Sequence, residues 1–338
     1  MATIEEVAKE AGVSRGTVSN VLNNFPSVSE ENREKVIKAI NKLKYTPNRA
    51  ARMLKTKISK SIGLMLPDIS NPFYSELARG VEDTGRKAGY SVFLCNSDRD
   101  IAKEQEYIRI LIEKNVDGII LVKPGIAEEE INEINRDCRV VLVDTDEALS
   151  RRYDVINADD YDGVSEVMNL LYDYGHERIA LIYGQLQSNS SRRRLAAYKD
   201  FFARKGVTVD NDLIKQGSYD WYSGYSCTVE LLRMANPPTA VFAANDLMAI
   251  GAVKAIRERR MNIPLDISVV GYDDIDLAAL YSPQLTTVRQ PKYEMGTMSM
   301  EALLRRLGAG GKSDAGEGSI VTLKTNVILR ETVGYVRK

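Results

Sequence analysis

The chain of 338 residues has few cysteines, a single histidine and no long apolar run, and each scarcity excludes a class of protein. No apolar segment approaches the about 20 residues that a transmembrane helix needs, and the first ten residues, MATIEEVAKE, lack the apolar core of a secretory signal. The three cysteines, Cys95, Cys138 and Cys227, are widely spaced in apolar settings, which favours buried free thiols over a disulfide framework. We therefore expect a cytoplasmic protein with no membrane contact.

Motifs for metal binding and catalysis are scarce as well. There is no CxxC pair, no HExxH and no Gly-x-Ser-x-Gly, and His176 in YGHERIA is expected to pack or to cap. The segment GAGGKS at 308–313 lacks the first glycine of a phosphate loop, because Arg306 stands there, so we expect a surface loop. The acidic run at 144–147 follows a predicted strand but lacks partner ligands. We expect no metal, no cofactor and no enzymatic activity.

The net charge of −1 conceals an uneven distribution of charge. Residues 1–60 contain 12 Lys and Arg against 6 Asp and Glu, whereas the remainder contains 34 against 41. A small basic module on a larger acidic body is typical of a protein that contacts nucleic acid at one end. Charge alone is equally consistent with a solvated basic face.

Short helices are predicted at the start of the chain. Thr3 followed by Glu6 forms a capping box, Gly12 ends the first helix, and Ser14 is placed to cap a second helix from about Arg15 to Leu22. Two short helices joined by a tight turn that contains glycine indicate a helix-turn-helix.

A third helix is predicted after Ser29, which would cap it. Its inward residues are predicted to be Val36, Ile37, Ile40 and Leu43. The second helix, by contrast, is predicted to expose polar and small residues, namely Arg15, Gly16, Thr17, Ser19 and Asn20. Hydroxyls and amides of this kind suit phosphate oxygens and base edges, although an ordinary polar helix face looks the same.

After Lys60 the pattern changes to short apolar runs that alternate with amphipathic segments. The first series contains SIGLMLPD, PFYSELARGVEDTGRKAG, YSVFLCNS and DGIILV, and the second contains RIALIYG, TAVFAA and ISVVGYDD. This alternation predicts an α/β body with parallel sheets covered by helices on both faces. Two such series predict two similar lobes, with a ligand bound between them at the carboxyl ends of the strands.

These segments together resemble one known family. TIEEVAKEAGVSRGTVSNVLN and then VSEENREKVIKAINKLKYTPNRAARML are similar to the headpiece of the LacI/GalR family of bacterial transcription repressors. The resemblance continues through IGLMLPDISNPFYSELARGVE, DGIIL, YGHERIALI, FAANDLMAIGA, ISVVGYDDID and LTTVRQP, and it covers essentially the whole chain. It implies an all-α helix-turn-helix headpiece and a two-lobed body that is similar to periplasmic sugar-binding proteins.

The resemblance also implies a division into domains. The DNA-binding headpiece would span 1–46, the hinge helix and linker 47–60, and the effector-binding and dimerisation body 61–338. In the body, the first lobe would comprise about 61–157 and 291–320, and the second about 158–290 and 321–338. The chain would cross between the lobes near Asn157, Gln290 and Val321.

Contacts with DNA are implied for the headpiece and the hinge, at Thr3, Ser14, Arg15, Gly16, Thr17, Ser19, Asn20, Asn23, Asn48, Arg49, Ala51 and Leu54. Leu54 would be the apolar wedge in the minor groove; the alternative is that it packs against the body. The chain departs from the family at Asn20, where Arg is usual, and at Gly16, where a base-reading side chain is common. Both departures imply an operator half-site different from the common one.

Contacts with a small effector are implied for both lobes, at Phe73, Asp144, Ser190, Arg194, Tyr219, Trp221, Asn245 and Asp273. The forked donor of Arg194 with Asn245 and Asp273 suits the vicinal hydroxyls of a sugar. Tyr219 or Trp221 would cover the sugar ring. In the alternative interpretation, Asn245 and Asp273 only cap helices.

The expected function is therefore a repressor that binds a palindromic operator as a homodimer, under the control of a sugar or sugar derivative. The alternatives are control by a nucleobase or nucleoside co-repressor or by a protein co-regulator. A sugar-binding transport protein is disfavoured by the basic headpiece, and a Rossmann-like enzyme by the missing glycine fingerprint. The identity of the effector, the direction of its effect and the operator sequence are left open.

Overall fold

The structure is a computed structural model that describes residues 2–22, 25–45, 58–308 and 317–336. The chain forms two compact units, Met1–Ser59 and Lys60–Lys338, which we call the headpiece and the body. The headpiece is helical and the body has two lobes built on parallel sheets, so the predicted fold class is confirmed.

Three helices form the described part of the headpiece: α1 (Ile4–Ala11), α2 (Arg15–Leu22) and α3 (Glu30–Leu43). The predicted capping box is present, because the Glu6 N–H donates to Thr3 Oγ1 at 3.3 Å and the Thr3 N–H donates to Glu6 Oε2 at 2.7 Å. Gly12 ends α1 with a φ of 66°, a left-handed conformation that glycine adopts without strain. Local chemistry therefore determines where the first helix begins and ends.

The caps of the next two helices differ. Ser14 caps α2 as predicted, since its Oγ accepts the Thr17 N–H at 3.1 Å. Ser29 occupies the N-cap position of α3 as predicted, but its side chain makes no capping hydrogen bond. The first turn of α3 instead carries Glu30 and Glu31, whose negative charges favour the positive end of the helix dipole.

The core of the headpiece differs from the prediction at one position of α3. Val36 is fully buried and Ala39 is nearly so, whereas Ile37 is 47% exposed. Positions 36, 39, 40 and 43 are spaced by three and four residues and share one helix face, and position 37 lies beside that face. The assignment of Ile37 to the core is therefore wrong.

The first lobe of the body is built on six strands: β1 (Ser61–Leu66), β2 (Ser91–Asn96), β3 (Gly118–Val122), β4 (Arg139–Val143), β5 (Asp154–Ala158) and β11 (Ile320–Leu323). They form a parallel sheet in the order β11-β5-β4-β3-β1-β2. The helices of this lobe are α4 (Pro72–Lys87), α5 (Ile101–Glu113), α6 (Glu128–Asp137) and α12 (Lys292–Leu307).

Helices cover both faces of this sheet. Ile120 and Val122 of β3 pack in one apolar cluster with residues of α4 and α12, whereas Ile119 and Leu121 pack in another with residues of α5 and α6. Successive residues of a strand point to opposite faces, which explains why the central strands are apolar throughout.

The second lobe is built on four strands: β6 (Ile179–Tyr183), β7 (Ile214–Gln216), β8 (Ala240–Ala243) and β9 (Ser268–Val270). They form a parallel sheet in the order β7-β6-β8-β9. Its helices are α7 (Asp160–Asp173), α8 (Asn189–Arg204), α9 (Trp221–Leu231), α10 (Asp246–Glu258) and α11 (Asp276–Leu280). Short 3-10 helices span Glu147–Arg151 in the first lobe and Asn211–Leu213 in the second.

Three segments connect the two lobes. The chain leaves the first sheet after Ala158 and returns near Gln290, after β10 (Thr287–Arg289). It leaves again after Leu323 and forms β12 (Asn326–Ile328), which pairs antiparallel with β10.

The third crossing lies later than predicted. Val321 pairs with Ile156 inside the sheet of the first lobe, so the expected crossing near Val321 and the lobe boundary at 320/321 are wrong. β11 and β12 are separated only by Lys324 and Thr325. Because apolar residues occur on both sides of this short step, the composition of the segment does not mark the crossing.

Candidate functional site

The polar residues expected to face DNA lie on one side of α2. Three of them are exposed and two are half-buried: Arg15, Gly16 and Asn20, and then Thr17 and Ser19. Val18 and Val21, on the opposite side, belong to the headpiece core. α2 is thus held by its apolar side and presents its polar side outward.

Thr3 and Arg15, both expected to contact DNA, are already bonded to acidic side chains of the headpiece. The Thr3 hydroxyl lies 3.1 Å from Glu6 Oε2, as part of the capping box. Arg15 Nη1 lies 2.8 Å from Glu5 Oε1, and both side chains are mostly exposed. An exposed ion pair stabilises a protein by only about 0–1 kcal/mol, so a DNA phosphate can replace Glu5 at little cost.

The remaining expected DNA contacts, Asn23, Asn48, Arg49, Ala51 and Leu54, lie outside the described residues. Most of the hinge predicted at 47–60 and most of the loop at 308–313 also lie outside the described residues.

A cavity of about 550 Å³ lies between the lobes of the body. It opens at the carboxyl ends of parallel strands, where Lys123 follows β3, Asp144 follows β4 and Gln216 ends β7. Polar side chains dominate its wall, which includes Ser97, Arg99, Glu104, Lys123, Asp144, Asp146, Gln185, Gln187, Ser188, Asn189, Arg192, Gln216 and Tyr219. Three cationic side chains and three carboxylates lie among them, so the charges of the wall are balanced.

An ion pair lies at the centre of this wall. Lys123 Nζ is 2.8 Å from Asp144 Oδ2, and both side chains are nearly buried. Burial by itself would lower the pKa of Lys123, but the Asp144 carboxylate, together with the nearby tyrosines Tyr74 and Tyr219, outweighs burial and raises it. Burial likewise opposes ionisation of Asp144, and Lys123 overcomes it and lowers that pKa. Both groups are therefore charged at neutral pH.

The same carboxylate links the two lobes. Asp144 Oδ1 accepts the N–H of Ser190, in the first turn of α8, at 3.2 Å. Beside it, Asn189 Nδ2 donates to the carbonyl of Thr145 at 2.9 Å. Groups of the first lobe thus bind the N-terminus of a second-lobe helix at the edge of the cavity.

Tyr219 forms the aromatic part of the wall. Its ring lies so close to Gly184 that a Cβ atom there would come within 2.0 Å of Tyr219 Cζ. Two cations of the first lobe face the ring, Lys123 Nζ at 5.1 Å and the guanidinium carbon of Arg99 at 5.8 Å from its centre. The left-handed φ of 67° at Tyr219 directs the side chain from the β7–α9 loop into the cavity.

Comparison with known proteins decides the family. Residues 3–48 match the model described as "Bacterial regulatory proteins, lacI family", and residues 168–333 match that of a periplasmic binding protein-like domain. The chain is 40% identical over 338 residues to the HTH-type transcriptional regulator RegA of Clostridium saccharobutylicum, covering 98% of this chain and 99% of RegA. The chain belongs to the LacI family.

Solved structures of related regulators agree with this assignment. The Lac repressor dimer bound to operator and the anti-inducer ONPF matches with a TM-score of 0.87 and 30% identity, over 98% of this chain and 99% of that one. The complex of the transcriptional regulator CelR with cellobiose matches with a TM-score of 0.73 and 28% identity, over 98% and 100%. This LacI-family chain is accordingly a transcriptional regulator with a DNA-binding domain and an effector-binding domain.

Within this LacI-family body, Arg194 does not line the cavity, because its donors are bonded elsewhere. Its Nε and Nη2 both lie 2.8 Å from Asp160 Oδ1, and Nη1 donates to the carbonyl of Ala244. The guanidinium also stacks on the ring of Tyr272, 3.6 Å from its centre. Burial opposes the charge of Arg194, but Asp160, with Tyr272, Tyr219 and Asp273 behind it, outweighs burial and raises the pKa of Arg194.

Asn245 and Asp273 are also buried outside the lining. Asn245 caps α10, accepting the Met248 N–H at 2.9 Å, and its Nδ2 donates to the carbonyl of Tyr219. Asp273 Oδ1 accepts Nε2 of Gln290 at 2.6 Å and caps no helix. The capping alternative thus describes Asn245 but not Asp273.

The other predicted effector contacts separate into two groups. Asp144 and Tyr219 line the cavity, and Ser190 reaches its edge through its backbone N–H. Phe73 is buried in the first-lobe core against Tyr74, which takes its place in the wall. Trp221 is 49% exposed and does not belong to the lining, so of the two aromatic candidates it is Tyr219 that lines the cavity, beside Tyr74.

Several residues of the wall were not predicted from the sequence, above all Lys123, Arg99, Glu104, Gln185 and Gln216. A usable signal was present, because most of these polar residues lie in or next to the loops at the carboxyl ends of apolar strands. The ion pairs that orient these side chains could not be predicted from the sequence, because each pair joins residues far apart in the chain.

The acidic run at 144–147 forms no metal site. Asp144 pairs with Lys123, Asp146 caps the following 3-10 helix through the Ala148 N–H, and Glu147 pairs with Arg193. Across the described residues, no cluster of three or more metal-ligating side chains occurs. None of the described helices is long and apolar enough to cross a membrane.

Proposed function

We propose that this protein is a cytoplasmic repressor that binds a palindromic operator as a homodimer, with an affinity controlled by a small sugar-like effector in the cavity. The observation that carries the proposal is the construction of the cavity wall. Lys123 and Asp144 come from the first lobe, and Gln216 and Tyr219 come from the second. A ligand that touches both lobes favours one lobe arrangement over another, and that difference can change DNA affinity.

The chemistry of the wall supports a neutral, polyhydroxylated ligand. Amide side chains of Gln185, Gln187, Asn189 and Gln216 offer both donors and acceptors, as vicinal hydroxyls require. The ring of Tyr219 offers a flat apolar surface for the carbon face of a sugar. The transcriptional regulator CelR, a structural neighbour, is solved as a complex with cellobiose. A nucleobase co-repressor and a protein co-regulator remain the alternatives.

Exposed apolar side chains of the body support a dimer. β2 is the edge strand of the six-stranded sheet, and its Phe93 and Leu94 are 43% and 49% exposed. On the second lobe, Trp221, Tyr222 and Leu280 are exposed as well. An apolar edge strand is a liability in a monomer, and a symmetric partner would cover it.

The polar face of α2 supports sequence-specific contact with DNA. Asn20 is exposed near the end of this face, and an Asn side chain can donate to and accept from the exposed edge of adenine at once. Gly16 leaves open space nearby, since a Cβ atom there would meet only Ser14 Oγ, at 3.5 Å. A base or a phosphate can therefore approach the helix backbone closely at this position.

The test is a binding assay with a palindromic duplex selected from a random library by the wild-type protein. We expect Asn20→Ala to lose about 1–3 kcal/mol on the selected duplex and little on random DNA. Asn41→Ala on α3 is the matched control, because Asn41 is exposed in the same domain but lies on another helix. Equal losses on both duplexes would show that Asn20 does not read a base, and failure to select any duplex would refute the proposed function.

A further inference from the structure

Two buried polar atoms without a hydrogen-bond partner belong to residues that line the same cavity. They are Oε1 of Glu104 and the hydroxyl of Tyr219, and neither has a partner among the described residues. The two residues are only 4% and 7% exposed. Buried polar atoms are nearly always paired, so two unpaired ones in one cavity point to a ligand.

The carboxyl group of Glu104 is fixed from one side. Glu104 lies in the first turn of α5, and its Oε2 accepts the N–H of Gly125, in the loop after β3, at 2.9 Å. A Cβ atom at position 125 would lie 3.2 Å from the same oxygen, so glycine allows this close approach. With Oε2 engaged and the side chain packed, Oε1 is the oxygen that remains available.

A second glutamate in this region, Glu130, has both of its carboxyl oxygens hydrogen-bonded. Glu130 of α6 accepts the N–H of Ala127 with Oε2 at 3.3 Å and Nε2 of Gln105 with Oε1 at 2.6 Å. Glu130 does not line the cavity. It is therefore a matched control for Glu104, with the same side chain, the same type of backbone partner and no access to a ligand.

The electrostatic environment of Glu104 also favours a ligand that donates a hydrogen bond. Two cations of the same wall are engaged elsewhere, because Lys123 pairs with Asp144 and Arg99 lies 3.4 Å from Asp68. Burial raises the pKa of Glu104, and the N–H of Gly125 opposes that shift. A buried carboxylate that lacks a cation is costly unless a donor reaches it.

We propose that Glu104 binds the effector directly: its Oε1 accepts a hydrogen bond from a hydroxyl of a sugar or other polyol, and the Tyr219 hydroxyl bonds a second polar group of the same molecule. The assignment rests on the proposed function, since it uses the same cavity. It adds a specificity-determining residue that the sequence analysis did not identify. A ligand that has no hydroxyl or amine donor at this position leaves Oε1 unpaired and binds more weakly.

Glu104→Gln separates ligand binding from folding. The Gln carbonyl can still accept the N–H of Gly125, while its amide replaces the acceptor Oε1 with a donor and removes the charge. We expect the ligand-free variant to melt at the same temperature as the wild type or higher. We expect its affinity for a bound sugar to fall at least about tenfold, because hydrogen bonds to a charged group are stronger than neutral ones. Tyr219→Phe, which removes only the hydroxyl, should show a smaller loss.

The experiment is titration calorimetry with D-ribose, D-glucose and cellobiose on the full-length wild type, Glu104→Gln, Tyr219→Phe and the control Glu130→Gln, with melting temperatures of each free protein. A tenfold loss in Glu104→Gln with unchanged affinity in Glu130→Gln supports the assignment. Unchanged affinity in Glu104→Gln overturns it and leaves the proposed function standing. A lower melting temperature of free Glu104→Gln also overturns it, because the role is then structural. If none of the three sugars binds the wild type, the sugar assignment and the role of Glu104 both fail.

Discussion

Asp246 should make the body less stable as the pH rises, and Asp246→Asn should remove that effect. Asp246 is fully buried in the first turn of α10. One of its oxygens accepts the N–H of Ile275 at 2.8 Å, and the other bonds the hydroxyl of Thr287. Burial and the neighbouring Asp273 carboxylate raise the pKa of Asp246 from 3.8 to about 7. The folded protein therefore keeps a proton that the unfolded chain releases.

The size and the sign of the effect follow from this shift. Because the pKa of Asp246 is higher in the folded protein, the protein loses folding free energy as the pH rises. This penalty is absent below pH 3.8, where both states are protonated, and it grows until about pH 7. At about 1.36 kcal/mol per unit of pKa, the full penalty is about 4 kcal/mol. Asn resembles the protonated carboxyl, because its carbonyl can accept from Ile275 and its amide can donate to Thr287. The stability gained by Asp246→Asn should thus increase between about pH 4 and pH 7 and then level off.

Urea unfolding of the wild type and Asp246→Asn at several values of pH measures this gain, and the only tryptophan, Trp221, reports on the second lobe. Asp274→Asn is the control of opposite sign. Burial would raise the pKa of Asp274, but hydrogen bonds from Arg289 and Arg330 outweigh it and lower that pKa. Removing this carboxylate should therefore destabilise the protein at neutral pH. A gain in Asp246→Asn that does not change with pH would refute the titration argument.

Two further predictions concern the buried ion pair and the exposed sheet edge. Asp160→Asn should destabilise the body by about 3–5 kcal/mol, because it leaves Arg194 buried without its carboxylate partner. A loss of stability below about 1 kcal/mol in urea unfolding would show that Arg194 finds another partner. Leu94→Asp should shift the protein from dimer to monomer in sedimentation experiments, because Leu94 is half exposed on β2, an edge strand. An unchanged dimer would place the interface elsewhere.

Much of the fold was predictable because the signals that specify it are local. The capping box of Thr3 and Glu6 and the cap of Ser14 on α2 join groups three residues apart, so their spacing in the sequence is their geometry. The alternation of apolar runs and amphipathic helices likewise specifies parallel sheets covered on both faces. The misplaced third crossing near Val321 had no such signal, because β11 and β12 read as one apolar segment.

The candidate site was only partly predictable, because its geometry depends on contacts between distant residues. The sequence by itself indicated that polar residues follow the strands, and the family resemblance pointed to Asp144 and to either Tyr219 or Trp221 as effector contacts. Only the tertiary structure decided that Arg194 pairs with Asp160, which lies 34 residues earlier in the chain. It also decided that the Gly125 N–H binds one oxygen of Glu104, while the other oxygen is unpaired in the cavity. The choice between Tyr219 and Trp221 was also tertiary, since the left-handed backbone at Tyr219 and the missing side chain of Gly184 bring the tyrosine ring inward. Sequence specifies which groups a chain carries, whereas their pairing inside a buried cavity depends on which strands and helices the fold places side by side.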